Sequence, residues 1–162
     1  MNLAQYRDPW LGEKFSEFVG FYPREFYCFD NFSSFGIIFE GRRYPTVEHA
    51  YQSLRFAEVA PEIEEIIRNA MSAHEAQKNA YANRDRQRSD FDAIKVSLME
   101  KLLRAKLEQN PYVLKKLLQI PRNCLICEDS PYDSFWGLGK ERQGRNELGR
   151  LWMKLRAELP EK

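Results

Sequence analysis

From residue 45 onward the chain carries one helix-start signal after another, and no other feature restricts its fold so strongly. Pro45-Thr46 opens the first, with Thr46 as N-cap of a helix expected to run to about Glu58. Pro61 stands where a first helical turn tolerates proline. Ser72-x-x-Glu75 and Ser89-x-x-Asp92 have the form of capping boxes, the second less complete because Asp replaces Glu or Gln. Phe91, Ile94, Leu98, Leu102 and Ala105 then share one stripe at helical spacing, and Asn110-Pro111 ends that helix and begins another through Leu118. Asn146 is expected to cap a last helix whose Leu148, Leu151, Trp152, Leu155 and Leu159 face a core.

The strand signals are few and short. Gly36–Glu40, a turn at Gly41, and Arg42–Tyr44 read as a hairpin, and Asn123–Glu128 reads as a short buried strand. Fifteen of the 22 aromatic residues lie before residue 57. The 162 residues leave room for one domain, and 43% hydrophobic content is enough to give it a core. The expected architecture is α+β and mainly helical: a single compact domain over 26–162, with several helices, a small sheet and an N-terminal arm at 1–25. The chain carries no internal repeat or low-complexity tract.

Twenty-five Lys and Arg against 24 Asp and Glu leave a net charge of +1, which disfavours extended duplex-DNA binding. No apolar run is long enough to span a membrane and no secretory signal is visible, so the cytoplasm is the expected compartment. The sequon Asn31-Phe32-Ser33 is discounted for that reason. Cys124-x-x-Cys127 lacks a second pair or a suitably spaced His, so its thiols read as core residues, and no metal is expected. His49 and His74 match no metal motif.

Three segments can carry chemistry. On the helix after Pro45, Glu48, Gln52 and Arg55 form a polar stripe beside the apolar face of Val47, Ala50, Tyr51 and Leu54. Such a stripe is ordinarily a solvated face. Glu48 lies in the first turn, where the helix dipole favours a carboxylate, and in a cleft it suits a base or a cation-stabilising group. His49 points elsewhere on the helix, so a Glu–His dyad is not expected. The second segment, Asp133-Ser134-Phe135-Trp136-Gly137-Leu138-Gly139-Lys140, is either a packed turn around a core Trp or a ligand loop. It matches neither a dinucleotide fingerprint nor a P-loop. The third is basic: Arg84, Arg86 and Arg88, with Lys140, Arg142 and Arg145. Arginine clusters suit phosphate, although Asp85, Asp90 and Glu141 interleave with these and a self-neutralising surface is the alternative.

Taken together these segments resemble the NADAR (YbiA-like) family over about residues 26 to 158. The marks are Asp30-Asn31-Phe32-Ser33-Ser34-Phe35, the block from Gly41 to Gln52 with Pro45-Thr46-x-Glu48-His49-x-Tyr51-Gln52, Arg104–Asn110, Asp133-x-x-Trp136-Gly137-x-Gly139, and Gly144–Met153. The resemblance implies an N-glycosidase that hydrolyses the C–N bond between a phosphorylated ribose and a base, without a metal or redox cofactor. Its substrate would be ADP-ribosylated guanine, in single-stranded nucleic acid or free, or a phosphoribosylamino-pyrimidine of riboflavin biosynthesis. A non-catalytic ADP-ribose binder and a protein-interaction domain are the competing classes. Oligomeric state is not legible.

Carried over residue by residue, the resemblance makes Glu48 the cation-stabilising carboxylate and Asp133 the second one, orienting water or holding ribose hydroxyls. Trp136 would stack the base or ribose, and Asn31 would hydrogen-bond base or sugar. Gly137 and Gly139 would let backbone amides approach phosphate, with Arg55, Arg84 and Lys140 as phosphate-binding cations. The family often has Lys where Arg55 stands, Trp where Phe91 stands, and Gly before Arg84. Arg55 keeps the charge, and Phe91 keeps a stacking face without the indole donor.

Overall fold

A computed structural model describes residues 17–22 and 26–161. Most of the expected arm, residues 1–16 and 23–25, lies outside them. The chain divides into two units, one from Asn31 to Asn110 and one joining the residues up to Asp30 with those from Pro111.

Strand β1 (Glu17–Phe21) belongs to the other unit, and the Asn31–Asn110 unit begins with a hairpin in which β2 (Ile37–Phe39) pairs antiparallel with β3 (Arg42–Tyr44). Its two-residue turn holds Glu40 at φ 50° and Gly41 at φ 76°. Positive φ at both positions is what a right-twisted hairpin requires, and glycine removes the cost at one of them. The Gln109 side chain closes the hairpin edge like a third strand. It accepts from Ile38 N at 2.7 Å and donates to Ile38 O at 2.8 Å.

Four helices follow: α1 (Val47–Ser53), α2 (Pro61–Arg68), α3 (Ala73–Ala82) and α4 (Phe91–Gln109). α1 packs against the other three. Thr46 and Ser72 cap as expected, accepting from His49 N and Glu75 N. α1 is shorter than expected, because the chain turns at Leu54 to drive Phe56 into a cluster with Ala60, Ile63, Ile67, Ala76 and Ala80. Ser89 does not cap α4. Asp90 holds the cap position without a side-chain cap bond, and Arg88 takes both its oxygens, at 2.6 and 2.9 Å. The buried stripe of α4 is also rotated from the expected one, to Phe91, Met99, Leu102, Leu103, Lys106 and Leu107. α4 packs on α1 and on β2, which pulls this row inward. Ile94 and Leu98 are left half-buried on a cavity of about 270 Å³.

In the other unit, β1 (Glu17–Phe21) runs parallel to β4 (Cys124–Glu128). The strands therefore form two separate pairs instead of one small sheet, and β1 falls within the stretch expected as an arm. α5 (Pro111–Leu118) has the expected limits, and α6 (Glu147–Glu158) packs on β4. Gly149 makes that packing possible, since a Cβ there would stand 2.1 Å from the Ile126 carbonyl oxygen. Asn146 precedes α6 in a left-handed conformation at φ 53°, but its side chain does not cap the helix. It accepts from Glu128 N at 3.0 Å and donates to Ile126 O at 2.9 Å, tying the helix start to β4. Trp152 is buried against Phe29, with ring centroids 4.9 Å apart, and donates to the Phe29 carbonyl at 3.0 Å. Cys28, Cys124 and Cys127 are buried free thiols.

The architecture is α+β and mainly helical. Among the described residues no helix is long and apolar enough to cross a membrane, and no group of three or more His, Cys, Asp or Glu is placed to hold a metal ion.

Candidate active site

The polar stripe of α1 is not a solvated face. Glu48 is 4% exposed and Gln52 is equally enclosed. Gln52 Nε2 donates to Glu48 Oε1 at 2.6 Å, which fixes the carboxylate one helical turn below it. The Asn31 backbone covers the first turn by accepting from Glu48 N at 3.1 Å, and Asn31 Nδ2 rests against Met99 Sδ at 3.5 Å. Three acceptors around this stripe, Asn31 Oδ1, Gln52 Oε1 and Ser53 Oγ, are buried without a hydrogen-bond partner among the described residues. Buried polar atoms are nearly always satisfied, so this cluster fits a ligand that brings donors such as hydroxyl or amine groups.

Arg55 ends the stripe. Its guanidinium lies 4.5 Å from the Phe91 ring centroid, 5.2 Å from that of Tyr51 and 6.0 Å from that of Tyr81. Nη1 donates to Gln87 Oε1 at 3.2 Å, and Nε is buried without a partner. Aromatic faces hold a guanidinium through the ring quadrupole without using its in-plane donors. Arg84 lies over the same Tyr81 ring at 5.8 Å and is exposed. Neither Arg55 nor Arg84 has a carboxylate within ion-pairing distance among the described residues. Phe91 is 1% exposed and packs on Tyr51 with centroids 5.2 Å apart, so it supports Arg55 instead of offering a stacking face.

His49 is structural. Its Nδ1 lies 2.8 Å from Thr46 Oγ1 and its Nε2 3.0 Å from the Ala70 carbonyl, a pairing that fits the neutral ring with its proton on Nε2. Burial lowers its pKa from the usual histidine value, partly offset by the Ala70 hydrogen bond. Lys106 is completely buried, with Nζ donating to Ser33 Oγ at 2.8 Å and lying 5.6 Å from the Phe35 ring. Sequence reasoning gave Lys106 no role, although a lysine on the apolar stripe of an amphipathic helix was the visible signal. Tyr81 and Gln87 were missed as well, because only the fold brings them to Arg55.

In the other unit, Asp133 Oδ1 accepts from Phe135 N at 2.8 Å and Trp136 N at 2.7 Å, so this carboxylate shapes its own loop. Trp136 is half-buried and meets Phe135 edge-on at 4.9 Å, so part of its ring faces solvent. Gly139 is buried at φ 67°, and its amide donates to the Ser130 carbonyl, so it has no N–H left for phosphate. A Cβ on Gly137 would meet the Glu128 carbonyl at 2.7 Å, and packing explains that glycine. Exposed Lys140 and Gly139 line a cavity of about 540 Å³ with Tyr132, Ser134 and Gln143.

The basic segments are largely self-neutralised. Arg86 pairs with Glu62 at 2.5 Å, Arg88 with Asp90, Arg142 with Asp129 at 3.0 Å and Arg145 with Glu147 at 2.7 Å. Arg42 pairs with Glu64 and Glu65.

Known proteins extend this picture. The NADAR domain profile matches residues 9–160. An N-glycosidase of Nostoc punctiforme is 33% identical over 82% of this chain and 85% of its own length. The N-glycosidase YbiA of Escherichia coli is 35% identical over 81% of this chain and 80% of its own. A chloroplastic maize protein named riboflavin biosynthesis protein PYRR is 32% identical over 94% of this chain, which spans 27% of that longer protein. The NMR structure of E. coli YbiA superposes with a TM-score of 0.78 at 28% identity, covering 95% of this chain and 91% of that one. A profile match over nearly the whole chain, joined to full-length relatives of about one-third identity, places this protein in the NADAR domain family.

Proposed function

We propose that this NADAR-family N-glycosidase hydrolyses the bond between ADP-ribose and the amino nitrogen of guanine, releasing guanine and ADP-ribose and so reversing ADP-ribosylation. The observation that carries the reading is the polar stripe of α1, with a buried carboxylate at Glu48 and a half-buried guanidinium at Arg55 seven positions on. As the ribosyl C–N bond breaks, its electron pair leaves with the base nitrogen, which takes up a proton. The ribose carbon gains cationic character, and Glu48 stabilises it. Water then adds to that carbon and loses its proton to solvent. Gln52 holds the carboxylate in place, and the open acceptors on Asn31 and Gln52 receive ribose hydroxyls or the base amine. The family resemblance also gives Asp133 and Trp136, in the other unit, the roles of second carboxylate and stacking ring.

Arg55 and Arg84, 6.0 and 5.8 Å from the Tyr81 ring centroid, favour a diphosphate, one guanidinium for each phosphate. That support is narrower than the count of basic residues implied, since most of those arginines have carboxylate partners. A guanine in single-stranded nucleic acid fits better than one in duplex, because the base must leave the stack at a cost of a few kcal/mol. The second reading, a phosphoribosylamino-pyrimidine of riboflavin biosynthesis, is favoured by the name of the maize relative. Side-by-side turnover of ADP-ribosyl-guanine in a short single strand and of the pyrimidine decides between them. Higher kcat/KM on the guanine substrate is expected, and the reverse order moves the assignment to the pyrimidine.

A further inference from the structure

Arg156 lies in the unit formed by the two ends of the chain, and the reaction proposed for Glu48 gives it no role. The residue is buried, with 6% exposure. Nε donates to the Ile120 carbonyl at 2.6 Å, and Nη1 is buried with no hydrogen-bond partner among the described residues. No carboxylate stands within ion-pairing distance of it among the described residues. A buried guanidinium without a counter-ion is costly, since charge taken from water must be compensated by an opposite charge or by full hydrogen bonding. Arg156 lines a cavity of about 410 Å³ together with Arg122, Asn123 and the turn from Leu118 to Pro121. Arg122 sits at the rim, donates to the Leu159 carbonyl at 2.5 Å, and lies 3.6 Å from a carboxylate oxygen of Glu161. Glu161, from the last residues of the chain, lines the same cavity.

We propose that this cavity is a binding site for a phosphate group, held between Arg156 and Arg122, with the Glu161 carboxylate as its internal competitor. Two arginines against one carboxylate leave a net positive lining. The planar fork of a guanidinium matches an oxyanion through paired hydrogen bonds. Phosphate enters as Glu161 swings away from Arg122, its oxygens take the donors that Arg122 then frees, and Arg156 on the cavity wall supplies the second positive charge. The site is independent of the α1 stripe and of the substrate assigned to it.

The test is calorimetric titration of the whole chain with inorganic phosphate at constant ionic strength, in an Arg55→Ala/Arg84→Ala background that removes both guanidinium groups proposed to bind phosphate beside α1. One saturable site is expected. Arg122→Ala should weaken it about tenfold, and Glu161→Gln should tighten it several-fold. Arg122 and Glu161 are both exposed, so these variants fold. Ribose 5-phosphate as competitor separates the sources: displacement assigns a phosphate ester, and its failure to displace assigns free phosphate. Absence of saturable binding in the Arg55→Ala/Arg84→Ala protein, or binding that neither substitution moves, overturns the proposal and leaves Arg156 as a brace for the Ile120 turn.

Discussion

Glu48→Gln keeps the shape of the side chain and replaces its charge with an amide. Gln52 still has an oxygen to donate to at this position, so the main structural change is a charge-assisted hydrogen bond becoming a neutral one. That exchange costs about 1 kcal/mol, a few degrees of melting temperature for a chain of this size. The effect on the barrier is larger. A carboxylate about 4 Å from a developing cation gains about 4 kcal/mol at an effective dielectric of about 20, the value suited to a partly water-excluded site. The amide dipole recovers about 1 kcal/mol of that, leaving about 3 kcal/mol, or a loss in kcat on the order of 100-fold or more. The assay follows free base by chromatography from either candidate substrate, with ADP-ribose affinity measured in parallel by calorimetry. Binding should stay within a few-fold of the parent, so the loss appears in kcat. A variant that turns over within tenfold of the parent, with its fold intact, refutes Glu48 as the cation-stabilising group.

Trp136→Ala should weaken ADP-ribosyl-guanine binding by about 1–3 kcal/mol, the range for base stacking, with little change in melting temperature. A lowered melting temperature with unchanged affinity makes Trp136 a packing residue. Gly149→Ala forces a Cβ into the Ile126 carbonyl, and its urea midpoint should fall by the equivalent of about 3 kcal/mol or more; a midpoint within error of the parent contradicts the packing of α6 on β4. The lowered pKa of His49 sets a pH dependence of stability. Below about pH 6.5 the unfolded chain binds a proton that the folded ring resists, so this stability is present above that pH and is lost as pH falls toward the folded pKa, by up to about 1.4 kcal/mol per pH unit. His49→Gln should flatten that part of the melting profile between pH 5 and 7, and an unaltered profile assigns the dependence to other groups.

Much of the local structure was legible because its causes are local. Thr46 and Ser72 cap because a hydroxyl two or three residues ahead reaches a free N–H, and Pro61 and Pro111 begin helices because their missing N–H is not needed there. The Gly41 turn and the buried strand at Cys124 were legible for the same reason. The family blocks around Glu48 and Asp133 could be read as short fixed patterns.

What the tertiary structure decided was every choice made by partners distant in the chain. Arg88 draws Asp90 away from the helix cap that Ser89 was expected to make, and Asn146 turns from its own helix to bond β4. The strand at Glu17–Phe21 exists through pairing with Cys124–Glu128, more than one hundred residues on, which no local pattern encodes. The same holds at the candidate site. The spacing of Glu48, Gln52 and Arg55 is a property of the sequence, but a polar stripe faces either water or a pocket at identical spacing. Only the packing of α2, α3 and α4 around α1 buries Glu48 and Gln52, and burial is the condition under which the charge of the proposed site gains strength.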